Sequence, residues 1–464
     1  MSVKIIVSSE GCTYEANGKQ LGPYPLKDHE NPNFDRDIAL QLGVEPKEVI
    51  EARLREIQRP TNIDEIVKIL GETVKHDIPT KAITFLAMLT AFTDEDQVNI
   101  AFQAESSTGK SYIPIELSYF FKHEKDLIII ASASPTAFYH ESGIFDKENR
   151  RIIVDLERKI LIFLDQPHFL LLEKLRPLLS HDTKELIYKI TDKRDKWGLR
   201  TKNVVIKGYP VVIFCSAKST SDEQEKTRFL FLSPETSTDK IRDSLKLLAK
   251  RLGDREKFKV ELESNPLRYW LKQRVGALRD AGIRNVVIPN PDEVCDRFLK
   301  AHPYLAPRHQ RDFPRLISLI KGHALLNWAC RDRTNTNSII ATKEDEDEAF
   351  KIYDKVAKSN EIGLSPEFYE IFLNVIQLLI NNGNEASREM ILAKYFDVNH
   401  RHLSDTKLRR EIIPQLRTVG LVAERANPLD KREMLVYSPV QPNSYPPIPS
   451  PISPNGNNRG EHRG

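Results

Sequence analysis

A short apolar run, "VNIAF" (98–102), leads directly into "QAESSTGKSY" (103–112), and this junction constrains the fold more than any other stretch. A short run of this kind, apolar at four of its five positions, suits a strand buried on both faces, as in parallel sheets covered by helices. Small polar residues, a glycine and a lysine follow it at once. The spacing is that of G-x-x-x-x-G-K-[ST], with Ala104 at the first glycine position and Gly109, Lys110 and Ser111 keeping the last three. Gly109 permits close backbone approach to an anion and the torsions of a turn. In this pattern the lysine reaches β- and γ-phosphate oxygens and the serine hydroxyl ligates Mg²⁺. The intervening residues, Glu105, Ser106, Ser107 and Thr108, form the rest of the cradle. A helix predicted over 110–121 would aim its free N–H groups at the same anion. Alanine is tolerated at 104 because that position sets the opening turn and not the cradle.

A second apolar strand, "KILIFLDQPH" (159–168), ends in Asp165, 55 residues beyond Lys110 (165 minus 110). A carboxylate at the end of a buried strand beside a phosphate loop holds Mg²⁺ through water, the Walker B arrangement. Both elements in this order read as a P-loop ATPase with ATP and Mg²⁺ as cofactors. Strands predicted at 98–103, 126–133, 151–156, 159–165 and 210–216, with helices at 63–75 and 80–93, imply an α/β fold with a parallel, three-layer sheet. Within it, "RIIVDLERKILIFLD" (151–165) reads as a hairpin turning at Glu157 and Arg158.

With 464 residues the chain has room for about three or four domains. Its net charge of +3 means that any nucleic-acid surface is local. Cys12, Cys215, Cys295 and Cys330 show no CxxC pairing, which argues for a reducing compartment and against a structural zinc. No apolar stretch reaches membrane-spanning length and the N-terminus lacks a signal peptide, so a cytoplasmic protein without membrane contact is expected. The expected organisation is a small mixed segment (1–60), an ATPase core (61–235), an all-α lid (236–358), a compact domain of three helices and a ribbon (359–438) and a disordered tail (439–464). That compact domain has the layout of a winged helix, with helices at 366–382, 387–395 and 404–419 before the ribbon. The tail is rich in proline, asparagine and serine.

The order of core, helical lid and winged helix resembles an AAA+ ATPase, and several details resemble the minichromosome maintenance (MCM) helicase branch. "LIYKITDKRDKWGLRTKNVVIKGYPVVIFCSA" (186–217) reads as a β-hairpin with a basic tip ahead of the next strand. In MCM-type helicases a hairpin at this point projects into the ring channel and grips DNA. The resemblance assigns that contact to Lys193, Arg194, Lys196, Arg200 and Lys202, with Trp197 stacking on a base. "RDFPRLISLIKGHALL" (311–326) is similar to the MCM lid motif, an arginine followed twelve residues on by His-Ala, here His323 and Ala324. By that likeness Arg311 is the sensor-2 arginine, touching the γ-phosphate. Ser216 would take the sensor-1 position, where many relatives carry asparagine or threonine. Arg228, in "SDEQEKTRFLFLSPE" (221–235), would reach the neighbouring subunit's ATP and stabilise charge on the transferred phosphoryl group. The likeness covers about 80–440, and the N-terminal region does not match the MCM pattern. It implies a homo-oligomer, a hexameric ring, with DNA as partner. In the winged helix, Lys407, Arg409, Arg410, Arg425, Lys431 and Arg432 would supply a second DNA-docking surface.

One position departs from the family pattern. Gln166 follows Asp165 where AAA+ enzymes usually carry a glutamate that polarises the attacking water. A glutamine cannot accept that proton, although its amide can orient water. Either another carboxylate serves (Glu105 or Glu141), or hydrolysis is slow and the protein is chiefly an ATP-gated switch. Two functions follow: an ATPase that remodels or unwinds DNA, or a DNA-binding regulator or loader with little turnover.

Overall fold

A computed structural model describes residues 3–7, 11–24, 28–29, 31–121, 126–139, 143–149, 151–192, 200–216, 228–302, 305, 307–362, 364–430 and 432–439. The chain divides into two compact units, Met1–Tyr369 and Glu370–Gly464.

The first unit opens with an antiparallel sheet of β1 (Lys4–Val7), β2 (Cys12–Ala16) and β3 (Lys19–Tyr24), covered by helices Phe34–Leu42 and Pro46–Gln58. Its small core closes over Trp270, on the later helix Pro266–Asp280.

Nine further strands follow: β4 (Ile100–Gln103), β5 (Leu127–Ile130), β6 (Ile144–Asp146), β7 (Arg151–Asp155), β8 (Ile160–Phe163), β9 (Glu185–Asp192), β10 (Arg200–Lys207), β11 (Val211–Ser216) and β12 (Leu230–Leu232). Five of them form a parallel sheet in the order β12-β4-β11-β8-β5. Alternate residues face opposite sides, as the two-residue strand period requires. Ile100, Phe102, Ile162 and Ile213 join the core made with helices Ile63–Leu70, Ile78–Thr90 and His309–Leu326. Ala101, Leu161, Phe163 and Phe214 face helix Phe169–Leu179 and a second sheet, β6-β7-β10-β9. Burial on both faces explains why these strands read as unbroken apolar runs.

The hairpin expected at 151–165 does not form. The turn is present, with Arg158 at φ +58°, but β7 and β8 belong to different sheets. β7 lies parallel to β10 (Asp155 opposite Lys207), and β8 lies parallel to β11 (Ile160 opposite Val211). The two segments therefore run side by side and bend together from one sheet into the other, joined across the bend by Leu156 N–H to Lys207 O at 2.7 Å. Gly208, at φ +94°, is required there because a Cβ would lie 2.5 Å from Glu157 N. By contrast, the expected hairpin at 186–217 forms: β9 and β10 pair antiparallel, from Glu185 opposite Lys207 to Asp192 opposite Arg200.

The segment 236–358 is mostly helical but not all-α. It contains a three-stranded sheet of β13 (Asn285–Val287), β14 (Arg333–Asn335) and β15 (Ser338–Ile340). Val286 and Ile339, both buried, are β-branched residues on three-residue strands too short for a periodicity to register. Its helices His309–Leu326 and Lys343–Ile362 share the core's apolar cluster. Lys343–Ile362 also closes the sheet edge. Asn360 accepts from Phe231 N–H (2.8 Å) and donates to Phe231 O (2.9 Å), so its amide acts as one residue of a neighbouring strand.

The second unit holds a helical run through 380 containing a π-turn (Phe372–Ile376), then β16 (Glu385–Ser387), helix Arg388–Asn399, and a further run at 405–418 with another π-turn (Leu408–Ile412). β17 (Ala423–Ala426) and β18 (Met434–Tyr437) close an antiparallel sheet in the order β16-β18-β17. Among the described residues no helix is long and apolar enough to cross a membrane.

Candidate functional site

Parallel strands place all their carboxyl ends on one edge, where open α/β sheets bind ligands. Here that edge gathers the 104–111 loop from β4, Asp165 and Gln166 after β8, and Ser216 at the end of β11. Ala104 N–H bonds Ser216 O at 3.4 Å, which fixes the start of the loop against β11. Ser107 (φ +67°) and Gly109 (φ +95°) both take left-handed torsions, so the backbone folds tightly between them. Thr108 Oγ1 (2.9 Å) and Lys110 Nζ (2.6 Å) both donate to Glu105 O, holding the lysine over its own loop. The helix that follows is shorter than expected, Tyr112–Ser118. Beyond it Phe120 and Phe121 turn into the core, where apolar burial outweighs another helical turn.

The loop and the end of β8 are in contact through the sheet. Ser111 Oγ donates to Leu164 O (3.3 Å), one residue before Asp165. Asp165 is exposed and its Oδ1 accepts from Gln166 N–H at 2.8 Å. Ser216 Oγ donates to Gln166 Oε1 at 2.8 Å, so the glutamine is held by the residue expected at sensor 1. Burial lowers the Lys110 pKa, opposed by the nearby charges of Glu367, Asp165 and Glu105. Burial pushes the Cys215 thiol up to about 11, leaving it protonated and unreactive at neutral pH. Among the described residues no group of three or more His, Cys, Asp or Glu side chains could hold a metal ion alone. A hydroxyl and one carboxylate suit a hydrated Mg²⁺ that takes its remaining ligands from water and phosphate.

A second layer behind the loop has no local sequence signal. Asp77, in a left-handed conformation and buried, accepts from Lys240 Nζ and from Glu235 N–H. Lys240 Nζ also lies 3.4 Å from Thr108 O, tying the loop to helix Thr238–Gly253. Lys81, buried nearby, donates to Val74 O at 2.9 Å, and burial lowers its pKa to about 8. Its only sequence trace is a lysine inside the apolar run 78–90.

This lysine gives a signed pH dependence. Its folded pKa lies below the unfolded value of 10.5, so between about 8 and 10.5 the unfolded chain binds the extra proton. Wild type should therefore gain stability over Lys81→Met as pH rises through that window, by at most about 3 kcal/mol. Denaturant melts at pH 7.5 and 10.5 measure the change, and a pH-independent difference rejects it.

The remaining expected residues are more scattered. Arg228 Nε donates to Ser180 Oγ (2.8 Å), just past helix Phe169–Leu179. Asn99, at the start of β4, receives Leu230 N–H and donates to Leu179 O, which places Arg228 at the amino edge of the sheet. The loop lies at the other edge, a strand length of about 13 Å away. Arg311 stands exposed in the first turn of helix His309–Leu326. His323, its partner in the expected lid motif, is fully buried and bonds Asp345 Oδ1 at 2.6 Å, with Arg331 on the same carboxylate. Arg200 and Lys202 lie on β10, while Lys193, Arg194, Lys196 and Trp197, the expected basic tip, fall outside the described residues, as do Glu141 and Lys431. In the second unit Arg409, Arg410 and Arg432 are exposed and Lys407 is half-buried. Arg425 pairs with Glu385 at 2.7 Å, which partly neutralises that side of the ribbon.

No protein-family model matches this chain, and no curated protein matches it.

Proposed function

We propose that this chain is an ATPase of the AAA+ type, similar to the MCM branch, coupling ATP binding and hydrolysis to DNA binding, remodelling or unwinding. The observation that carries this reading is the convergence of the 104–111 loop, Asp165, Gln166 and Ser216 on one carboxyl edge. Ser111 and Asp165 would hold Mg²⁺, whose charge would neutralise phosphate oxygens during transfer. Lys110 binds phosphate oxygens by exchanging its bond to Glu105 O. Gln166, oriented by Ser216, positions the attacking water. The helix–strand order of the second unit supports a winged helix, and the β9–β10 hairpin supports a DNA-gripping element like that of the MCM branch.

Steady-state ATPase rates with and without single-stranded and duplex DNA test this function. Several-fold stimulation by either DNA is the expected result, and absence of turnover with DNA binding intact assigns the chain to the second reading. That reading, an ATP-gated regulator or initiator-like loader, is favoured by one observation: the residue after Asp165 carries no proton-accepting carboxylate. Gln166→Glu should then raise turnover, by part of the 10²–10⁴-fold that a general base supplies. A flat or reduced rate makes Glu105 or Glu141 the base, tested by Glu105→Gln and Glu141→Gln.

A further inference from the structure

Helix Thr238–Gly253 is fixed to the protein along one face. Lys240 reaches Asp77, Asp243 bonds His76 at 3.0 Å, and Arg251 bonds Glu116 at 3.3 Å. Those contacts leave a face about a third of a turn round the helix open to solvent. On it Ile241, Leu245, Leu248 and Leu252 are each between 46% and 59% exposed. Single exposed leucines are ordinary. These four are separated by four, three and four residues, which places them within about 60° of arc at 100° per residue. That is the seam spacing of a coiled coil, on a helix about 24 Å long.

We infer that this stripe docks on the same stripe of a second copy of the chain, with the two helices antiparallel. The spacing reads identically in both directions. A two-fold axis between positions 246 and 247 then sets Ile241 against Leu252 of the partner subunit, and Leu245 against Leu248 of the partner subunit. Such a contact is isologous and closes on itself. The flanks agree. Arg242 and Arg251 border the seam, and antiparallel pairing faces them with Ala249 and Ser244 of the partner subunit, so no like charges meet. Asp239 and Asp243 in the first half of the helix are balanced by Lys240 and Arg242, while Lys246, Lys250 and Arg251 leave the second half basic. Antiparallel pairing sets the neutral half against the basic half and opposes the helix dipoles, whereas parallel pairing would align the two basic halves. The patch is small, which suits a weak, transient pair. It is distinct from a head-to-tail, ring-closing contact and needs no nucleotide.

The test uses the full chain carrying Cys295→Ser and Cys330→Ser, since Cys12 and Cys215 are buried. Leu245→Cys protein is mixed with Leu248→Cys protein and treated with a short bis-maleimide. Cross-linked dimer several-fold above that of either protein alone is the expected result. In an otherwise native chain, Leu248→Glu should weaken dimerisation at least tenfold by sedimentation, with an unchanged melting curve because Leu248 is exposed. Equal or greater cross-linking in each single protein would mean a parallel pair and overturn the proposal. So would an absence of cross-linking in the mixture at 100 µM, or Leu245-dependent binding to anionic phospholipid vesicles without self-association.

Discussion

Lys110→Ala is expected to weaken ATP binding on the order of 10²–10⁴-fold while leaving the nucleotide-free fold intact. Each charged hydrogen bond is worth about 1.5–3 kcal/mol, and an ammonium offers three donors to the oxygens of a polyphosphate. Losing two such contacts gives that range. Neither the loop backbone nor Ser111 can replace a positive charge. The lysine's bond to Glu105 O, at 2.6 Å, is one that a phosphate oxygen can exchange at little cost, because the ammonium already stands over the loop. Titration calorimetry gives the affinity, and the melting temperature without nucleotide controls for folding. An unchanged affinity removes the site at 104–111, and with it the ATPase reading.

What could be read in advance follows from the kind of pattern each feature leaves. Strands such as β8 and β11 are buried on both faces, so they appear as apolar runs whose boundaries are easy to place. The loop was legible because its residues are contiguous and each answers a local requirement for turn, charge or hydroxyl. The 151–165 segment misled because a turn between two strands suggests a hairpin. Whether they pair with each other depends on partners fifty residues away, and the 151–165 stretch itself carries no record of those partners. The Asp77–Lys240 pair joins residues 163 positions apart (240 minus 77), and nothing local marks either one. The stripe on helix Thr238–Gly253 has legible periodicity. Its outward orientation is not, because an apolar seam normally faces its own core.

Arg228→Ala should leave ATP binding intact and cut hydrolysis about 10³-fold or more, the effect of losing an arginine finger. Geometry sets the terms of this result. Arg228 and the loop lie at opposite edges of one parallel sheet, so within a single chain the arginine cannot touch its own 104–111 loop. Any catalytic role must therefore be played on a neighbour, through a heterologous contact that repeats around a ring. The decisive measurement mixes Arg228→Ala protein with Lys110→Ala protein. Each is inactive alone, but where the Arg228→Ala subunit binds ATP beside a Lys110→Ala subunit, an intact loop meets an intact arginine. Recovery of part of the wild-type rate is expected, rising with the fraction of mixed oligomer. If mixed oligomers form and remain inactive, the arginine does not act in trans. If Arg228→Ala alone hydrolyses ATP at the wild-type rate, its bond to Ser180 is structural. The requirement for a ring then disappears, whatever is found for ATP binding at the loop.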